Sequence, residues 1–324
     1  MTTKAKKILF ITVKIIILLA TLMFLHVKLI KTGKWNDFLV QFQSIGEGNT
    51  LIFLIIGVLM LPFNTGLEAK KWQYLTKKIQ NISFKRSWYA VFSGVTLNLF
   101  TPFNLGDYAA RTLYLEDNNK LKGAMFTFIC GMGQLVVTLV LGLLSLPFYF
   151  LYFGNFGFTL GLVLSAISIL LALSISWGFF NIPVIFHWFR KFIKDKKIRV
   201  YIRLIENLSK FDLSKTLRLS FFKFLVYSSQ YYFFLRFFGI DGSIILVYPL
   251  LCLVFFTQSL IPTFALVSFG IRGAAAIFFL GLISQNHAGI LAASLSLWLV
   301  NFILSGLIGL LIIFSFNFVR GVNR

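Results

Sequence analysis

Residues 88–111 read WYAVFSGVTLNLFTPFNLGDYAAR. The stretch begins like a membrane span and is then interrupted by Asn98, Thr101, Pro102, Asn104, Gly106, Asp107 and Arg111. In water such a run would be an ordinary loop. In hydrocarbon it cannot be, because each backbone N–H or C=O freed by a broken helix must find a partner in the protein or in a wet cavity.

The rest of the chain puts this stretch in hydrocarbon. Of 324 residues, 58% are hydrophobic and 13% charged, with 40 phenylalanines, whereas soluble domains carry roughly a quarter charged residues. Apolar stretches close to the ~20 residues that cross a bilayer core occur near 8–29, 50–68, 123–150, 157–180, 219–238 and 287–316. They are continuously apolar, which excludes the alternating ~10-residue strands of a barrel. The first is too long for a signal core and no small-residue cleavage site follows it, so it reads as an uncleaved helix. The expectation is a polytopic all-α integral membrane protein, a single transmembrane domain over 1–324.

A formal charge of +21 raises the question of nucleic acid, but the cations are segregated by topology. Lys4, Lys6 and Lys7, then the run from Lys70 to Arg86, then a basic loop at 187–218, then Arg320 and Arg324 fall in segments that alternate with the apolar stretches. Cytoplasmic loops carry such an excess. Both termini are therefore expected inside, with about six full crossings plus shorter insertions. The loop at 187–218 is also suited to an anionic membrane surface. Cys130 and Cys252 have no partner spacing, and His26, His187 and His287 are scattered. No nucleotide, zinc or nucleophile-elbow motif is present, so no cofactor or metal is implied.

A second interruption, LCLVFFTQSLIPTFALVSFGIRGAAAIFFLGL at 251–282, repeats the order of the first. Polar residues (Gln258, Ser259), a proline (Pro262), a glycine (Gly270) and an arginine (Arg272) follow an apolar half-span, as Asn98, Thr101, Pro102, Gly106 and Arg111 do earlier. Proline ends a helix near the residue before it, and glycine permits a turn from which a new helix can start. Paired broken helices in corresponding halves of a transporter point to its binding site. By parity of the spans the first insertion enters from the cytoplasmic side and the second from the outer side, making the halves at about 8–150 and 157–316 inverted repeats. Charge parity leaves open whether 244–284 is a hairpin or two full spans.

The order GLEAKKWQYL, ISFKRSWYAVFSGVTLNLFTPFNLGDYAARTLYL, SSQYYFFLRFFGI, SLIPTFALVSFGIRGAAAIFFLGL and WLVNFILSGLIGLL resembles the lysylphosphatidylglycerol synthase transmembrane-region family, also called the flippase-like domain. The resemblance implies a bacterial inner-membrane protein and, in its fusions with a synthase, movement of an aminoacylated phospholipid between leaflets. With the last apolar stretch reaching 316, it implies the translocating half alone. Two departures stand out. Gly273 follows Arg272 where the family usually has a glutamate, and Gly133 and Gln134 stand where an acidic-basic pair is common.

Together these features nominate a headgroup cavity for a phospholipid or lipid-linked intermediate. Arg272 and Arg111 would contact the phosphate, with Asp107, Asn98, Thr101, Gln258 and Ser259 around it, and Pro102, Gly106, Pro262 and Gly270 as the helix breaks. Asp107 and Arg111 are four apart and so share a helical face, where they can pair with each other. Arg272 could instead pair with Asp107 or Glu68. Glu68 reads as an interfacial acid and Lys223 as a snorkelling end residue. Two other functions are expected to compete: an accessory scaffold for an envelope-lipid enzyme, acting through the basic loop, and a membrane-embedded transferase with Asp107 as base.

Overall fold

A computed structural model describes the backbone of residues 50–101, 104–154, 157–260 and 265–315. Among the described residues the fold is helical throughout, with no strand. The first apolar stretch, Pro102 and Pro262 lie outside them.

Helices α1 (Leu51–Leu59) and α2 (Leu61–Thr76) run end to end through Met60. Pro62 falls in the first turn of α2, where its missing N–H costs nothing. Next come α3 (Phe84–Asn98), capped by the Ser83 hydroxyl on the Arg86 N–H, and the short α4 (Leu105–Thr112). The long α5 (Lys120–Tyr152) and α6 (Phe158–Phe180) follow. The basic loop holds α7 (Ile182–Phe192) and α8 (Lys196–Glu206). Then α9 (Lys210–Phe237), opened by a Ser209–Asp212 capping box, precedes α10 (Ile244–Leu260), α11 (Ala265–Leu280) and α12 (His287–Trp298). A π-helical turn, Leu299–Leu304, joins α12 to α13 (Ser305–Ser315) without a break.

Among the described residues, four helical stretches are long and apolar enough to cross a membrane: Leu51–Thr76, Asp117–Tyr152, Phe158–Phe180 and His287–Ser315. They correspond to the expected stretches at 50–68, 123–150, 157–180 and 287–316, the first running on to Thr76. The stretch at 219–238 lies in α9, which carries too much polar character over its length to count with them. Helix α9 is the centre of the fold. Its Tyr231, Phe234 and Phe237 are fully buried with α10–α12, while Leu213 packs with the α2, α3 and α5 cluster. By contrast α6 exposes Leu170, Leu173 and Trp177, a surface suited to lipid.

Both interruptions are hairpins whose outer ends meet. In the first, the Arg86 side chain donates to the Tyr114 carbonyl at 2.9 Å, and the Ser93 and Tyr114 hydroxyls bond at 2.7 Å. In the second, Gly242 lies against Val247 and Ile283, and the Asn286 amide donates to the Phe238 carbonyl at 3.2 Å. The region 244–284 thus holds two helices of 17 and 16 residues that pack on each other.

The tip of the first hairpin shows how its backbone is satisfied. Asn104 precedes α4 in the left-handed region (φ 60°), a conformation asparagine tolerates better than most side chains. The Asn98 amide donates to the Asn104 side chain at 2.8 Å. Thr101 donates its hydroxyl to the Leu97 carbonyl at 3.1 Å and accepts the Gly106 N–H at 2.7 Å, recovering groups the break released. Gly106 is required there, since a Cβ would run into the Leu97 carbonyl. Gly270 does not play the matching part in the second hairpin, because α11 has already resumed at Ala265 and runs through it.

Candidate functional site

The polar residues of α2 define the site's floor. Asn64, Glu68 and Lys71 recur at four and three residues, so they share one face of the helix, and all three are buried. Helix α9 answers that face with Ser220, Lys223 and Gln230, through the bonds described next.

Glu68 is the hub. Its Oε1 accepts from Arg111 Nη1 at 3.0 Å, and its Oε2 accepts from Lys71 at 2.9 Å and Lys223 at 2.7 Å. Lys71, 1% exposed, also donates to the Ser220 hydroxyl at 3.1 Å. Arg111, 5% exposed, forms a two-pronged pair with Asp107, Nε to Oδ1 at 2.6 Å and Nη2 to Oδ2 at 2.7 Å. Gly133 makes room for this arrangement from α5, since a Cβ there would press on Thr216 and Ser220 at 2.9 and 3.3 Å. The departure from the family pattern at that position therefore sits beside the charged cluster.

One turn of α2 away, the chemistry changes from charges to amides. The Asn64 amide donates to Asn301 Oδ1 at 2.6 Å, Asn301 donates to Gln230 Oε1 at 2.8 Å, and Gln230 donates to the Gly57 carbonyl at 2.7 Å. Asn301 lies in the π-helical turn, a geometry that recurs at functional sites.

The residue after Asn301 carries the last piece. The Arg272 guanidinium stacks over the Phe302 ring at 5.1 Å from its centroid. It is half-buried, and among the described residues no carboxylate pairs with it. The expected alternatives for Arg272 therefore do not form: Asp107 is engaged by Arg111, and Glu68 by Arg111, Lys71 and Lys223. The same long helix then reaches the first hairpin, where Thr96 donates to the Gly306 carbonyl at 2.9 Å and Gly309 lies against the Phe92 carbonyl.

The structure gathers the nominated residues into two groups. Asp107 and Arg111 join Glu68, while Arg272 stands on the π turn. Asn98 and Thr101 hold the first hairpin tip. In α10, Gln258 is half-buried, and the Ser259 hydroxyl donates to the Phe256 carbonyl at 2.7 Å. Two expectations are corrected. Glu68 is not interfacial but buried, at 6% exposure, and Lys223 does not snorkel outward but reaches inward to it. Asn301 and Gln230 are site residues that sequence reasoning missed. The recoverable signal is spacing: Asn64, Glu68 and Lys71 on one face of α2, and Lys223 and Gln230 seven apart on α9.

A family model described as the lysylphosphatidylglycerol synthase TM region matches residues 9–309. The chain belongs to that family. As a member of the lysylphosphatidylglycerol synthase transmembrane-region family it is a membrane protein, in keeping with its long apolar helices. No curated protein and no solved structure matches it.

Proposed function

We propose that this protein binds the headgroup of a phospholipid or lipid-linked intermediate inside the membrane and moves it between leaflets, with Arg272 meeting the headgroup phosphate. The observation that carries this is the difference in partners. Arg272 has an aromatic ring and, among the described residues, no acid, whereas a cation in mid-membrane costs roughly 2.5 to 3.5 kcal/mol even on insertion scales. A planar guanidinium held against a ring presents N–H groups at its edge, suited to two phosphate oxygens at once. In this reading the two hairpins are the broken helices of inverted repeats, and Asn98, Thr101, Gln258 and Ser259 line the opening between them. About six crossings place both termini on the cytoplasmic side of a bacterial inner membrane. Arg111 and Asp107, held together by two bonds, act as the frame that positions α4.

The test is headgroup movement in reconstituted vesicles carrying a fluorescent phospholipid. Arg272→Gln should slow it roughly tenfold or more, the worth of one or two charge-assisted hydrogen bonds. Wild-type rates in that variant would sink the proposed role.

One observation favours a second contribution, from the basic loop. Val184, Trp188 and Phe192 form an exposed stripe on α7, next to the exposed Lys191 and Lys194. We propose that this helix lies in the headgroup region of an anionic leaflet, which would also suit an accessory role beside an envelope-lipid enzyme. Neutralising both lysines should weaken the dependence of function on anionic lipid while leaving Arg272 chemistry intact. The transferase alternative has less support, since both Asp107 oxygens are engaged by Arg111.

A further inference from the structure

The charges among the apolar helices do not balance. Among the described residues, Glu68 and Asp107 meet Lys71, Arg111 and Lys223 in one group, and Arg272 stands apart in the other. Four cations thus face two carboxylates. Every oxygen of those carboxylates already accepts from a cation: Glu68 Oε1 from Arg111, Glu68 Oε2 from Lys71 and Lys223, and both Asp107 oxygens from Arg111.

Among the described residues no other acid is placed to change this around Arg272. The sequence contains no aspartate or glutamate after Asp241, so α10 to α13 have none, and Asp241 itself pairs with Arg236 at 2.6 Å. Asp37 and Glu47 are the acids outside the described residues. The position after Arg272, where a glutamate would have supplied a carboxylate, is Gly273.

A headgroup bearing an ammonium needs an acceptor for that charge once water is removed, and an uncompensated like charge beside Arg272 repels it. A phosphate without an ammonium neutralises the surplus instead. We infer that the site selects lipid headgroups that carry phosphate and net negative charge and rejects aminoacylated ones, so that this chain departs from the substrate its family description suggests. The inference rests on Arg272 as the headgroup contact.

Phosphatidylglycerol and lysylphosphatidylglycerol share a backbone and a phosphate and differ in the aminoacyl group, so they form the test pair. The full-length protein in phosphatidylcholine nanodiscs is offered each labelled lipid, and retention is measured. Phosphatidylglycerol should be retained at least about tenfold better, a factor within reach of repulsion between Arg272 and the ammonium groups of the aminoacyl headgroup, since the phosphate contact is common to both lipids. Arg272→Gln should erase the preference, and Arg272→Lys should keep its sign. A variant with Lys191 and Lys194 changed to Gln should retain it, separating the buried site from attraction at the surface. Equal or tighter retention of lysylphosphatidylglycerol overturns the inference, as does a preference unchanged by Arg272→Gln. Movement of both lipids at equal rates in vesicles would overturn selectivity while leaving translocation standing. Selective retention with no movement would do the reverse.

Discussion

Arg111 and Arg272 follow their prolines by nine and ten residues, in stretches of matching residue order, yet the fold treats them oppositely. Arg111 is buried between two carboxylates; Arg272 has the face of Phe302 and, among the described residues, no acid. The difference comes from which helix each hairpin packs against. The first hairpin lies against α2, whose inner face carries Glu68, and Asp107 sits one turn before Arg111 on its own helix. The second lies in a part of the chain without acids, against a π turn whose inward side chain is an amide. A saturated arginine is a structural tie, while an unsaturated one is chemically available.

The largest expected effect tests the saturated side. Glu68→Gln leaves Lys71, Lys223 and Arg111 clustered with one carboxylate, and breaking a buried pair costs roughly 3–5 kcal/mol. A drop in the melting temperature of purified protein on the order of 10 °C follows from that range. An unchanged melting curve would show that the hub is not what holds α2, α4 and α9 together.

Next in size is the contrast between the two arginines, measured in parallel. Arg111→Gln should destabilise the fold by roughly 3 kcal/mol or more, since Asp107 loses both its bonds. Arg272→Gln should leave stability within about 1 kcal/mol of wild type, because no buried partner is orphaned. Equal losses in the two thermal melts would erase the distinction.

Asn301→Ala probes the link between the two regions. It removes the acceptor of Asn64 and a donor to Gln230, each buried, at a cost of roughly 1–3 kcal/mol. Thermal unfolding checks the amount, and headgroup movement checks whether Phe302 still presents Arg272.

The smallest effect lies at the entrance to α9. Burial would raise the Asp212 carboxyl, but bonds from Lys78, Ser209 and Tyr74 outweigh it and hold it at about 2. Its folded value is thus below the ordinary carboxylate value of ~3.9. The stabilisation is present above about pH 4 and is lost as pH falls through the folded value. Wild type should melt above Asp212→Asn at pH 6, and the gap should close as the pH approaches 2. A gap that widens on acidification would reverse the assignment.

Much of the helical fold was legible because hydrophobic runs and prolines act locally. The break at 98–106 could be read from Pro102 and Gly106, and the Asp107–Arg111 pair from a spacing of four. That the freed backbone groups need partners followed from hydrocarbon as solvent; that Thr101 supplies them is seen in the fold. The site was legible in part. Glu68 lies three residues from Lys71 and next but one to Lys70, so it looks like one more interfacial charge until α2 is seen packed on α9. Lys223 looked free to reach water because its carboxylate partner is 155 residues away in the chain. Asn301 gave no local sign, since a π turn is a matter of how the chain is wound.

Composition and pattern alone establish that this is a helical membrane protein, that a helix breaks between Asn98 and Leu105, and that no acid follows Asp241. These are properties of the chain's solvent and its local backbone chemistry. Which charges are neutralised is settled by packing, because an ion pair depends on distances of a few ångströms between helices that lie far apart along the chain. The packing of α2, α4 and α9 encloses Arg111 among carboxylates, and the winding of the chain at Leu299–Leu304 sets Phe302 beneath Arg272.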